Sequence, residues 1–172
     1  MIYSELRSDS DILDDIGTAR RVFVMGCPVC ANMSLYIQKA AEGSATLTLT
    51  PTGYRAVPMD EEVDRLTKLF VGKGLDVDSW VGKYPVVALC VLDEGTREKI
   101  TQKCRDFETV ITLCCDAGTK SIERILPKKM IIPGMNATGI VDAISKKKMG
   151  FFKLFIDKNS VNITRFTFDT EI

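Results

Sequence analysis

Arg21-Val22-Phe23-Val24-Met25-Gly26-Cys27-Pro28-Val29-Cys30 decides how this chain is read. The apolar run from Val22 to Met25 reads as a strand buried on both faces, as in parallel sheets covered by helices. One glycine later come two cysteines in C-x-x-C spacing, with Pro28 suited to the first turn of a helix. Two thiols therefore stand at the end of a strand and beside a helix N-terminus. That environment favours thiolate, the form that attacks disulfides or binds soft metals.

Outward from this stretch, strand and helix alternate. Ser8-Asp9-Ser10-Asp11 ahead of Ile12, Leu13 and Ile16 predicts a short capped helix. The helix entered at Pro28 is expected to end near Gly43, with Leu35 and neighbouring alanines inward. Thr46 to Thr50 alternates as a strand with one wet face, and Pro51-Thr52-Gly53 turns it back through Tyr54 to Val57 as a small hairpin. Asp60-Glu61-Glu62 opens a helix that carries Val63, Leu66, Leu69 and Phe70 on one face and closes at Gly72 and Gly74. Pro85 to Leu92 reads as a continuous apolar strand. Thr96 is expected to cap a helix with Ile100, Cys104 and Phe107 inward. Val110 to Cys114 is a strand, and Thr119 is expected to cap a helix with Ile122, Ile125 and Leu126. Met130 to Ile132 is a short strand stopping at Pro133-Gly134, and a helix is expected over Gly139 to Lys146. Phe151 to Ile156 and Val161 to Phe168 flank Asp157-Lys158-Asn159-Ser160 as a terminal hairpin over 151–168. The expected fold is α/β: one domain over 1–172, with a three-layer, mainly parallel, Rossmann-like sheet and a C-terminal β-hairpin.

Composition narrows the chemistry. Basic and acidic residues balance at 23 each, so no general affinity for nucleic acid is expected, and Lys146-Lys147-Lys148 reads as the solvated end of a helix. No segment has the length of a membrane span, and Met1 to Leu6 lacks the basic and apolar regions of a signal peptide. The expectation is a cytoplasmic protein whose six cysteines are reduced. There is no histidine, which excludes serine–histidine triads, cysteine–histidine pairs and histidine-bearing zinc sites. Neither G-x-G-x-x-G nor G-x-x-x-x-G-K-[ST] occurs, so NAD and ATP have no sequence support.

In open α/β sheets, ligands bind beyond the carboxyl ends of the strands. Three segments are expected on that rim: Gly26 to Cys30, Cys114-Cys115-Asp116-Ala117-Gly118-Thr119, and Pro133-Gly134-Met135-Asn136. Cys27, Cys30 and Cys115, remote in sequence, are then candidates to converge on a soft metal. Asp116, Gly118 and Thr119 at a helix start, with Gly134 and Asn136, are candidate cofactor contacts. Cys90, Cys104 and Cys114 are expected in the core, where free cysteine packs as a small hydrophobe.

In this order the three motifs resemble the small partner subunit, or C-terminal domain, associated with bacterial methylenetetrahydrofolate reductases. That family shows a strand ending in Gly-Cys-x-x-Cys, a strand ending in Cys-Gly-Ala-Gly, and a strand ending near Pro-Gly/Ala-x-Asn-Thr. The counterparts here are Gly26 to Cys30, Cys115 to Gly118, and Pro133 to Thr138, and the likeness covers roughly residues 9 to 145. Against the family, the hairpin stretch at 44–58 looks inserted. Ser34 stands where a third cysteine is often found, Asp116 stands where glycine is usual, and no cysteine follows residue 115. The family's cysteine-rich C-terminal part is expected to contribute to iron–sulfur binding, so a full cluster set does not carry over. What the resemblance implies is the fold, Cys27, Cys30 and Cys115, and a partner protein in one-carbon metabolism.

Three functions are in competition. The first is an accessory subunit, rather than a stand-alone enzyme, acting in metal binding or electron transfer. Cys27, Cys30 and Cys115 would hold zinc or an iron–sulfur centre, with a fourth position left to Asp116, water or a partner residue. The second is a thiol–disulfide oxidoreductase with Cys27 attacking, Cys30 resolving and Tyr84-Pro85 facing them. The third is a non-catalytic ligand-binding or scaffold protein.

Overall fold

The apolar run at 22–25 lies in a four-stranded parallel sheet, on a strand flanked on both sides. The structure, a computed structural model, describes residues 1–41, 47–50, 53–54, 57–82, 88–147, 153–156 and 158–167. In chain order its elements are β1 (Ile2–Leu6), α1 (Asp9–Ile16), β2 (Arg21–Gly26), α2 (Cys30–Ala41), β3 (Leu47–Thr50), β4 (Gly53–Tyr54), α3 (Val57–Gly72), β5 (Asp76–Val81), α4 (Glu94–Lys103), β6 (Thr109–Leu113), α5 (Asp116–Ile125), β7 (Met130–Pro133), β8 (Met135–Asp142), β9 (Ser145–Lys147), β10 (Lys153–Ile156) and β11 (Asn162–Arg165).

The parallel sheet runs β5-β2-β6-β7. Its two inner strands supply Val22, Phe23, Val24, Met25, Val110, Ile111 and Leu113, none with any solvent exposure. Helices cover them. α1 is capped by the Ser8 hydroxyl, which accepts the Asp11 N–H, and it buries Ile12 and Ile16. α3 buries Val63, Leu66 and Phe70, and the buried Asn32 of α2 accepts the N–H of Met59 in its first turn. The Arg65 guanidinium forks onto both oxygens of Asp9 at 2.7 Å each and also holds Glu62, so α1 and α3 are tied together.

The remaining described strands are antiparallel, so the sheet content is less parallel than expected. One sheet runs β1-β8-β11 and another β4-β3-β10-β9. α2 serves both sides of the molecule. Ala31 and Leu35 join the main core, whereas Tyr36 and Ile37 pack with Tyr3 and Val141 of the antiparallel sheet. A helix apolar on both faces is what such a position requires.

Several expectations are corrected. Residues 85–87 of the expected strand at 85–92 lie outside the described residues, and 88–92 form a turn with a bridge between Ala88 and Val91. The sheet strand in this region is β5, whose Asp76-Val77-Asp78-Ser79 alternates because it lies on an edge, half wet. The expected helix at Gly139–Lys146 is strand instead: β8 alternates buried Gly139 and Val141 with exposed Ile140 and Asp142, and β-branched residues suit that role. Lys146 and Lys147 consequently lie on β9, and Lys148 is outside the described residues. The terminal hairpin does not form. β10 pairs with β3 and β9 while β11 pairs with β8. The turn at Lys158–Ser160, where the Ser160 hydroxyl accepts the Ile144 N–H, separates them. Helix starts also move. α4 is capped by Asp93, which accepts from Thr96, and α5 begins at Asp116, ahead of Thr119. The small hairpin at β3–β4 is present, although Val57 already belongs to α3.

Two consequences are measurable. A Cβ on Gly139 would strike the Thr164 carbonyl oxygen and sit 3.1 Å from the Arg165 Cα, both backbone atoms of β11 that have no rotamer to give. Gly139→Ala is expected to cost about 1–3 kcal/mol in urea unfolding, whereas Gly72→Ala, with open space around it, is expected to be neutral or to stabilise by up to about 1 kcal/mol. Arg65 holds the Asp9 carboxyl below its usual 3.8. A depressed carboxylate contributes stability above its unfolded pKa and loses it as pH falls through the folded value. Asp9→Asn is therefore expected to destabilise at about pH 7, with the difference from the unaltered protein shrinking as pH falls through the folded value.

Candidate functional site

From β2 the chain moves outward to β5, then returns across β2 to β6 on its other side. The connections after β2 and β6 therefore diverge, the arrangement in which open α/β sheets place ligands beyond the carboxyl ends of their strands. Cys27 follows β2 and keeps the ladder for one more residue, its N–H bonding the Leu113 carbonyl at 3.0 Å. Cys114 and Cys115 follow β6, and Cys115 accepts from the N–H groups of Gly118 and Thr119 as the residue before α5. β1 is fastened over the start of α2. The Ser34 hydroxyl accepts the Ser4 N–H at 3.1 Å and donates to the Cys30 carbonyl at 3.0 Å, and Gln38 donates to the Ser4 carbonyl at 2.9 Å. Ser34, at the place where the resembled family often has cysteine, is fully buried and holds the two elements together.

The thiols feel one another. Burial pushes Cys27 up to about 11, opposed by the backbone N–H groups of Leu89 and Val29 beside it, and the Cys115 and Cys30 sulfurs raise it further. Cys30 is half-buried and also raised, by burial first and Cys115 second, with the Ile2 N–H of the covering strand acting in the opposite sense. Cys114 is pushed up to about 12 by burial, opposed by the Thr119 hydroxyl at 3.4 Å. Cys90 is exposed rather than in the core and acts on Cys30. Cys104 is buried as expected and is pushed up to about 12 by burial, beside Lys129, Lys103 and Asp78 rather than the other thiols.

The expected helix-dipole activation of Cys27 is overturned. α2 starts only at Cys30, and Cys27 is 4% exposed, so loss of water outweighs the partial charge of a helix end. A single metal ion would need three or four sulfurs about 2.3 Å from one centre. Among the described residues, no group of three or more Cys, Asp and Glu side chains is placed to hold a metal ion. The donors match a thiolate-bound centre in kind: soft sulfur, no imidazole, and N–H groups directed at two of the sulfurs.

The other candidate residues divide into two groups. Gly118 and Gly134 make room for packing, since a Cβ would come within 2.8 Å of the Cys114 sulfur or 2.7 Å of Leu113. Thr119 is buried, its hydroxyl 2.9 Å from that of Thr112. Asp116 and Asn136 are brought together. They line one cavity of about 520 Å³, and Asp116 accepts the Ala137 N–H at 3.4 Å. Tyr84 and Pro85 lie outside the described residues. Sequence reasoning missed the Leu89–Cys90 turn and the β1 cover, because contacts between remote segments leave no spacing to read. No helix among the described residues is long and apolar enough to cross a membrane.

Compared with known proteins, the chain matches no family model, no curated protein and no solved structure.

Burial and neutrality together set the order of thiol reactivity. With a pKa of about 11, Cys27 is thiolate in roughly one molecule in three thousand at about pH 7.5. A chromogenic disulfide reagent is expected to modify Cys90 first and Cys30 more slowly, and to reach Cys27, Cys104 and Cys114 only on unfolding, as read by peptide mapping. Modification of Cys27 in the folded protein as fast as Cys90 would contradict this order.

Proposed function

We propose that this chain is an accessory module, not a stand-alone enzyme, that holds a thiolate-ligated centre between β2 and β6 and passes electrons to or from a partner protein of one-carbon metabolism. Cys27, Cys30 and Cys115 are the ligands, and Asp116, water or a partner residue fills a fourth position. The observation that carries this reading is that Cys27 and Cys30 from one loop and Cys115 from another are near enough to make each other's charge costlier, with backbone N–H groups beside Cys27 and Cys30. The partner rests on the motif resemblance alone. The frame is a Rossmann-like, three-layer one, because right-handed crossovers put α2 and α3 on one face of the parallel sheet and α4 and α5 on the other.

Of zinc and an iron–sulfur centre, only the latter serves electron transfer, because zinc has no redox chemistry. Bound, such a centre supplies one-electron transfer. The chain does the rest. Burial keeps the Cys27 thiol neutral in the free protein, so binding through it would release a proton and strengthen as pH rises. The N–H groups of Leu89, Val29 and Ile2 offset negative charge on Cys27 and Cys30. The β1 strand and the Cys27 burial keep water away, which shifts potential. The same burial weighs against thiol–disulfide exchange, because a buried neutral Cys27 is a poor attacking group.

Anaerobic reconstitution with ferrous iron and sulfide, and separately with zinc, tests the proposal. Iron and sulfide are expected to bind with visible absorption, to be lost by more than about half in Cys27→Ser, Cys30→Ser and Cys115→Ser, and to be retained in Cys104→Ala. Equal loading of Cys115→Ser and the unaltered protein would remove the three-thiol site. Zinc binding with the same dependence, and no iron, would remove the iron–sulfur assignment but leave the site.

A further inference from the structure

We infer that a second site, between α4 and α5, takes a small organic molecule bearing a phosphate group. A cavity of about 410 Å³ opens there, in the size range of small-ligand pockets. Three cations line it, Arg97 of α4 with Lys120 and Arg124 of α5, and no described carboxylate does. In a chain with zero formal net charge this is a local concentration of one sign. Glu123 bonds Lys120 at 2.7 Å and offsets part of it, which leaves two guanidiniums unopposed within the cavity wall.

Guanidinium forks match the oxygen geometry of phosphate, and two of them facing one cavity suit a dianion better than a single carboxylate. Ser121 adds a neutral hydroxyl. Ala117 and Ile125 supply an apolar wall, which a bare ion does not need and the carbon part of a phosphate ester does. Lys120 and Arg124 stand four residues apart and so share one helix face, while Arg97 comes from another helix; the site exists only where the two meet. Cys90 also lines it, next to Leu89, whose backbone N–H lies beside the Cys27 sulfur. The pocket and the thiol loops thus share one two-residue turn, although the pocket stands whether or not a metal centre binds.

The test is calorimetric titration of the full chain with inorganic phosphate and with phenyl phosphate at low salt. Saturable one-site binding is expected, with phenyl phosphate at least about fivefold tighter because it also covers the apolar wall. Arg97→Gln combined with Arg124→Gln is expected to weaken binding by about tenfold or more, and Lys68→Gln, a cation of α3, to leave it unchanged. Ser121→Trp fills the cavity without altering charge and is expected to abolish binding. Circular dichroism of each variant checks folding, and Arg97 and Arg124 are both exposed, so the double variant is expected to fold. No saturable binding of either compound up to about 10 mM, or binding that survives Ser121→Trp, would overturn the site. Equal affinity for the two compounds would overturn the organic-ester assignment.

Discussion

Burial of β2 on both faces is the constraint from which the rest follows. Val22 to Met25 have no exposed surface, so helices must cover both sides of the strand and other strands must take up its two ladders. Parallel neighbours need long crossover connections, and these are α2 with α3, then α4, then α5. Because β2 is flanked by the strand that follows it on one side and by β6 on the other, the loops leaving β2 and β6 part from each other. That divergence leaves Cys27 and Cys115 in the loops at the carboxyl ends of two neighbouring strands.

The electrostatics of these thiols are governed by water removal rather than by helix ends. Cys27 and Cys114 are nearly dry, and each has sulfur neighbours that resist a second negative charge. The backbone N–H groups near Cys27 and Cys30 act in the opposite sense without reversing the outcome. Several buried thiolates gathered together would need a cation to offset their charge. The exposed Cys90 and the cationic cavity beside it belong to a wetter environment at the edge of the same turn.

α2 connects the two halves of this arrangement. One face closes the parallel sheet; the other carries Tyr36 and Ile37 against Tyr3 and Val141. The Ser34 hydroxyl fixes the approach of β1 over Cys30. The antiparallel β1-β8-β11 sheet is thereby more than an appendage to the α/β unit: its first strand supplies the Ile2 N–H that faces the Cys30 thiol.

What the sequence by itself determined was whatever depends on neighbours along the chain. The continuous apolar run of β2 and β6, the serine cap of α1, the 3.6-residue faces of α3 and α5, and the short hairpin at β3–β4 were legible because each pattern repeats within a few residues. The absence of histidine and the C-x-x-C spacing defined the available chemistry in the same local way. What only the tertiary structure decided was pairing. Asp76–Val81 became a strand because an edge beside β2 was open to it, and Met135–Asp142 became a strand because β1 and β11 flank it. The segments at 153–156 and 162–165, each strand-like alone, went to different sheets. Cys90 turned outward and Cys27 inward, and the thiolate character suggested by a helix start was lost to desolvation. Spacing along a chain sets which face a residue takes, but water exclusion and the meeting of remote segments depend on packing in three dimensions.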